Sequence, residues 1–192
     1  QLMTHTAGFE DAFKGGITEG ENPPRPLGEV VRELQPARVF APGSTPAYSN
    51  FGAALAGYIV ERVSGTRFED YVDQHVFLPL GMSHSTFHQP VPATLRASVA
   101  RGYTTAHQAP GAFELISVPP AGSLSITGAD AARFMIAILN GGQGLLQPAS
   151  VALMQKPATE FAPGLNRMGL GFYQQRVDDI VAVGHAGDLV RF

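Results

Sequence analysis

The run Pro42-Gly43-Ser44-Thr45-Pro46-Ala47-Tyr48-Ser49-Asn50-Phe51-Gly52 constrains the rest of this chain more than any other. The Pro-Gly pair stops whatever precedes it. From Phe51 the apolar residues Phe51, Ala54, Leu55, Tyr58, Ile59 and Val63 recur at helical spacing, and Gly65 ends the run after Ser64. Ser49 or Asn50 is a natural N-cap for that helix. A phenol and a carboxamide two residues apart at a loop-to-helix junction can both project into one cleft. Tyr48 and Asn50 are therefore candidate site residues, and the remaining chain reads as the frame of that cleft.

Other elements follow from local patterns. Residues 10–26 alternate charge with Gly and Pro and read as a surface loop. Leu27, Val30, Val31 and Leu34 have helical spacing, and Pro36 ends that helix. Thr66-Arg67-Phe68-Glu69 has the form of a capping box, opening a helix that buries Phe68, Tyr71, Val72, His75 and Val76. Pro79 closes it. Short strands are expected around Ser98–Thr104 and Phe113–Val118. Thr127-Gly128-Ala129-Asp130 caps a helix with Ala131, Phe134, Met135, Ile138 and Leu139 inward, which Asn140-Gly141-Gly142 ends. A short helix follows Gln147-Pro148. Met168–Gln175, Ile180–His185 and Leu189–Phe192 read as antiparallel strands, with turns at Val177-Asp178-Asp179 and Ala186-Gly187-Asp188.

Bulk properties narrow the function. The length of 192 residues suits one domain with a real core. A net charge of −3 gives no basic field for nucleic acid. No run of eighteen apolar residues, the length a membrane span needs, occurs. The chain contains no cysteine, which removes disulfides, thiol nucleophiles and thiolate metal sites. His84 and His88 are four apart, a metal-ligand spacing only on a helix, and the prolines at 90 and 92 argue against one there. Ser123 and Ser125 flank a turn and read as structural. His5 reads as a local hydrogen-bonding group that shapes a cleft wall.

The order of several segments carries a family likeness. Leu2-Met3-Thr4-His5-Thr6-Ala7-Gly8 resembles the "LLTHTSG" segment of the serine beta-lactamase-like hydrolases: class C beta-lactamases, DD-peptidases, D-aminopeptidases and related esterases. Tyr48-Ser49-Asn50, after Pro42-Gly43, is similar to their Tyr-x-Asn motif. The stretch 57–65 and Pro79-Leu80-Gly81-Met82 with Thr86 resemble the segments that follow it. Pro120-Ala121-Gly122-Ser123-Leu124 resembles their "PAGGL" turn, with Ser123 in place of one glycine. His185-Ala186-Gly187, after Gly184, resembles the third motif in its His-x-Gly form. The likeness runs from end to end.

What the resemblance implies is an α/β (α+β) fold of the beta-lactamase/transpeptidase type: a helical region packed on an antiparallel sheet, with helices on its other face. About 1–125 would be the helical and loop region with Tyr-x-Asn, and about 126–192 a helix and the first strands of the return sheet, together an incomplete domain. The implied chemistry is acyl transfer from an ester, D-amino-acid peptide or beta-lactam to water through a serine acyl-enzyme. Tyr48 would shuttle protons, Asn50 would hydrogen-bond a lysine and the substrate amide, and His185 would edge the cleft. The backbone N–H of Asp188, just after Gly187, would share the oxyanion hole. A phenol titrates near 10 and needs adjacent cations to act as a base at neutral pH. No metal or organic cofactor is implied, and the family is often periplasmic or secreted.

One part of that pattern is missing. Ser-x-x-Lys supplies nucleophile and base in the family. The chain has two lysines, Lys14 and Lys156, preceded three residues earlier by Asp11 and Leu153. In the family this motif lies upstream of the segment resembling residues 2–8. Gln1-Leu2-Met3 does not read as a natural start, and Val190-Arg191-Phe192 reads as a strand cut short. The expectation is an internal fragment, inactive alone, whose sheet edges around 168–192 are capped by missing segments or another chain. The alternative is a non-catalytic ligand-binding protein of the same fold.

Overall fold

The computed structural model describes residues 1–11, 15–20, 22–158 and 167–191. The helices are α1 (Leu27–Glu33), α2 (Asn50–Ser64), α3 (Phe68–Val72), α4 (Leu78–Leu80), α5 (Ala93–Arg96), α6 (Pro119–Gly122), α7 (Gly128–Leu139) and α8 (Pro148–Gln155). A π-helical turn, Asp73–Phe77, joins α3 to α4. Strand β1 (Ile17–Glu19) pairs antiparallel with β2 (Glu114–Ile116), and β3 (Arg167–Met168), β4 (Tyr173–Val177) and β5 (Ile180–Gly184) form a second antiparallel sheet in that order.

Helix α2 is the hub. Ser49 caps it, its Oγ accepting the Gly52 N–H at 3.1 Å, and Gly65 ends it in the left-handed region at φ 72°. Its inner face, Phe51 and Ala54, joins Phe9, Leu27, Val30, Val31, Ile116 and Val118 in the core, with Leu2, Tyr58, Phe68 and Leu189 packed around them. Each large side chain buried there stabilises the fold by about 1.5–3 kcal/mol. Phe9 meets Phe51 edge-to-face at 4.9 Å between ring centroids. Gly57 lets α2 press directly onto α6: a Cβ there would overlap Pro120 Cγ and lie 2.6 Å from Pro120 Cβ.

The first eleven residues are laced to the segment that leads into α2. Glu10 N–H donates to Ala37 O, Val39 N–H to Gly8 O, Gly43 N–H to Thr6 O and Ala47 N–H to His5 O, all at 2.7–2.9 Å. Gly8, at φ 82°, has no room for a side chain, since a Cβ would run into the Phe40 carbonyl. This lacing sets His5 and Asp11 beside Tyr48 and Asn50.

Helices α1, α2, α7 and α8 stand close to the positions their apolar spacing and caps predict, and β2 lies within the expected 113–118 strand. Other expectations are corrected. The Thr66 capping box does not form: α3 begins after Arg67 with no side-chain cap, and the Phe68 N–H instead donates to Glu61 Oε1 at 2.9 Å. The helix beyond it loosens into the π turn, which buries Phe77 and leaves His75 exposed. On α7, Met135 and Leu139 point outward at 55% and 81% exposure, while Asp130, Ala137 and Ile138 face in.

Residues 98–104 form no strand, whereas β1 lies inside the expected surface loop. Met168–Gln175 is not one strand. It folds into a hairpin at Gly171, φ 78°, that pairs β3 with β4. Residues 189–191 leave the sheet. Leu189 joins the core periphery, the Val190 N–H donates to Glu114 Oε2 at 3.2 Å, and Arg191 pairs with Glu19. Phe192 lies outside the described residues. Strand β5 is exposed along its whole length.

Candidate active site

Three segments meet at the N-terminus of α2. Tyr48 enters from the extended approach to the helix, and Asn50 is the first helical residue. His185 follows the end of β5, and its ring lies 6.1 Å from that of Tyr48. The structure therefore brings Tyr48, Asn50 and His185 together. Gly187 and Asp188 follow His185 in an exposed stretch. Nothing lies within 4 Å of where a Gly187 side chain would begin. Neither N–H donates to a backbone carbonyl among the described residues.

The local sequence explains how rigidly the pair is held. Ser49 is fastened at both ends: its Oγ accepts from Gly52, and its N–H donates to His5 Nδ1 at 3.1 Å. His5, at φ 50°, turns its ring against Tyr48, with centroids 4.4 Å apart. Because Nδ1 accepts a hydrogen bond, the neutral imidazole carries its proton on Nε2. Burial, and then the neighbouring His185, hold His5 below its usual titration range, against a smaller upward pull from Asp11. His5 thus makes the local hydrogen bond expected of it and packs against Tyr48.

Two residues here had no signal in the sequence. Asp11 Oδ1 accepts the Asn50 backbone N–H at 2.8 Å, and the Asn50 Nδ2 donates to Asp11 Oδ1 and Oδ2 at 3.3 and 3.2 Å. The other end of the same carboxamide, Oδ1, accepts the Tyr48 hydroxyl at 3.4 Å. Tyr173, on β4, packs against His185 with centroids 4.9 Å apart. Tyr173, His185, Tyr48 and His5 thus make a row of rings. Asp11 sits in a loop with no apolar pattern, and Tyr173 in a strand whose partner is set by pairing; neither is detectable from local spacing.

The electrostatics run against a phenolate. Burial, then Tyr173 and Asp11, push the Tyr48 phenol above its ordinary value, and no Lys or Arg forms an ion pair with Asp11 among the described residues. As it stands the cluster can donate from a phenol, accept at a carboxylate and a carboxamide oxygen, and stack planar groups. It becomes a proton relay only when a cation is brought beside Tyr48.

The remaining sequence candidates go elsewhere. His84 Nδ1 meets Ser83 Oγ at 3.0 Å, whereas His88 Nε2 lies 2.9 Å from Asp73 Oδ2 and 3.6 Å from Asp70 Oδ1. Among the described residues no group of three or more His, Asp or Glu side chains is placed to hold a metal ion. Ser123 Oγ donates to the Phe87 carbonyl at 3.0 Å, and Ser125 bridges to Thr86, so both are structural. Leu124, Ser125 and Leu189 also line a cavity of about 340 Å³ under residues 95–100. No helix is long and apolar enough to cross a membrane among the described residues.

The family model described as Beta-lactamase matches residues 1–192. Penicillin-binding protein 4 of Amycolatopsis lactamdurans is 28% identical over 168 residues, covering 81% of this chain and 43% of that protein. A Beta-lactamase of Yersinia enterocolitica is 27% identical over 177 residues, covering 89% of this chain and 42% of that protein. The solved structure of D-amino acid amidase from Ochrobactrum anthropi SV3 complexed with L-phenylalanine amide superposes with a TM-score of 0.72 at 27% identity, covering 97% of this chain and 56% of that one. The chain thus spans roughly half, or less, of the length of the proteins it matches.

Proposed function

The chain belongs to the beta-lactamase family, and from that premise we propose that residues 1–192 carry the proton-relay and substrate-edge parts of a serine hydrolase. It cleaves an ester, a D-amino-acid peptide or amide, or a beta-lactam amide through a serine acyl-enzyme. Relatives in the family are serine hydrolases that act on small acyl compounds. The serine and its lysine come from a part of the whole protein outside these 192 residues, within a domain whose helical part is about 1–125 and whose first return strands fall in about 126–192.

In this reading the lysine ammonium lies against Asn50 Oδ1 and Tyr48. It draws the Tyr48 proton affinity down, so that the phenol relays the serine proton to the leaving group. His185 and Gly187 edge the acyl group, and the Asp188 N–H joins the serine N–H at the oxyanion. The observation that carries the reading is the approach of His185, from the far end of the chain, to the ring of Tyr48, whose hydroxyl donates to Asn50. A serine-reactive fluorophosphonate probe tests it. The whole protein becomes labelled and residues 1–192 alone do not. Stoichiometric labelling of residues 1–192, or a whole protein that carries no Ser-x-x-Lys, overturns it.

A second reading, ligand binding without catalysis, draws on one observation: the Tyr48 phenol is pushed up, away from a base. A whole protein that binds an acyl ligand yet resists the probe would favour it.

A further inference from the structure

We infer that Asp11 selects substrates bearing a free ammonium on the acyl side, such as amino-acid amides and esters, over substrates whose amine is acylated. This deepens the reading under Proposed function and rests on it. The geometry begins with Asn50, whose carboxamide is fixed end for end. Its Oδ1 accepts from Tyr48, and its Nδ2 donates to Asp11. An incoming cation is received only at the Oδ1 end, because Nδ2 is a donor. The Nδ2 end is therefore the end left to the substrate, and there it is already occupied by a carboxylate.

That occupant changes what the site accepts. An N-acyl substrate reaching for Nδ2 would bring a carbonyl oxygen against the Asp11 oxygens, acceptor against acceptor, and would have to displace Asp11 first. A substrate ammonium instead donates to Asp11, whose Oδ2 takes one bond from Asn50 and keeps acceptor capacity toward solvent. Asp11 is exposed, and among the described residues no ion pair includes it. The two effects, attraction of the amine and rejection of the acylated amine, act in the same direction. Asp11 is held in place by the Asn50 backbone N–H at 2.8 Å, so it meets the ligand with little reorganisation.

The test compares D-phenylalanine amide with N-acetyl-D-phenylalanine amide, by hydrolysis and by calorimetric binding, on the whole protein and on its Asp11→Asn variant. Asn keeps an acceptor for the Asn50 N–H, removes the charge and replaces the Oδ2 acceptor with an NH2 donor. The wild type favours the free amine at least tenfold, and Asp11→Asn shrinks that preference ratio by about 10–100-fold, the worth of a charge-assisted hydrogen bond. A wild type that prefers the N-acetyl compound, an unchanged ratio in the variant, or binding of neither compound overturns the inference. Amine-selective binding that depends on Asp11 without hydrolysis of either compound would sink the hydrolase reading and leave the role of Asp11 standing. Hydrolysis with an unchanged ratio does the reverse.

Discussion

At the scale of single residues, the hydrolase reading makes Tyr48 the sharpest test. Tyr48→Phe removes the relay and the only donor to Asn50 Oδ1 among the described residues. In the whole protein kcat/KM should fall about 10²–10⁴-fold, the usual worth of a positioned acid–base group, with the thermal midpoint little changed. His5 gives a pH prediction. Its titration is pushed down in the folded state by burial, so the unfolded chain binds the proton more readily. Stability is then full above about pH 6.5 and is lost as pH falls through the lower folded value. Denaturant melts at several pH values should show this slope, and His5→Gln should flatten it. Tyr48 and Asn50 were legible because a cap, a turn and an apolar stripe mark their position locally. Asp11 was not, because what makes it part of the site is a contact with Asn50 across the chain, and no spacing rule reports that.

Elements were legible where their signals are contained within them. Helix α2 carries its own cap and glycine stop and forms over the expected residues, although Ile59 and Val63 of its stripe stand outward at 47% and 84% exposure. Two substitutions test how it and α7 are held. In Gly57→Ala, helix propensity favours alanine by about 1 kcal/mol, but the new methyl overlaps the rigid ring of Pro120. Overpacking of that kind costs about 1–3 kcal/mol, so a net loss is expected by chemical denaturation, and a gain would mean that α6 is free to move. Asp130 is fully buried at the start of α7 and accepts from the His84 N–H at 2.8 Å, the Ser85 hydroxyl at 2.9 Å and Arg133 Nη1 at 2.6 Å. Burial alone would raise its pKa; the Ser85, His84 and Arg133 contacts overcome that and hold it below the usual carboxylate value. Asp130→Ala strands those donors and should cost about 3–5 kcal/mol. The outward Met135 and Leu139 mark the limit of periodicity, which finds a stripe but not what lies opposite it. The π turn after α3 breaks the register for the same reason: Phe77 goes to the core by tertiary packing, not by spacing.

Across the whole molecule, what is well held and what is not divides along the chain. The α2-centred core buries Phe9, Phe51 and Ile116, while Ile180, Val181 and Val183 on β5 stay open to water. In residues 1–192 alone, amides of β4 and β5 should exchange with solvent at least about 100-fold faster than those in the middle of α2. Equal protection would mean that the sheet needs no further covering. The sequence could not place β1 against β2, or send residues 189–191 to Glu114, because sheet partners far apart in the chain leave no mark in either strand. The row of rings has one more consequence, and it is optical. The chain contains no tryptophan, so its ultraviolet emission is tyrosine emission, and two of its five tyrosines flank His185, at 6.1 and 4.9 Å. A compound that stacks against these rings changes the surroundings of two of the emitters at once. The ring cluster therefore carries its own unlabelled light signal of a bound compound.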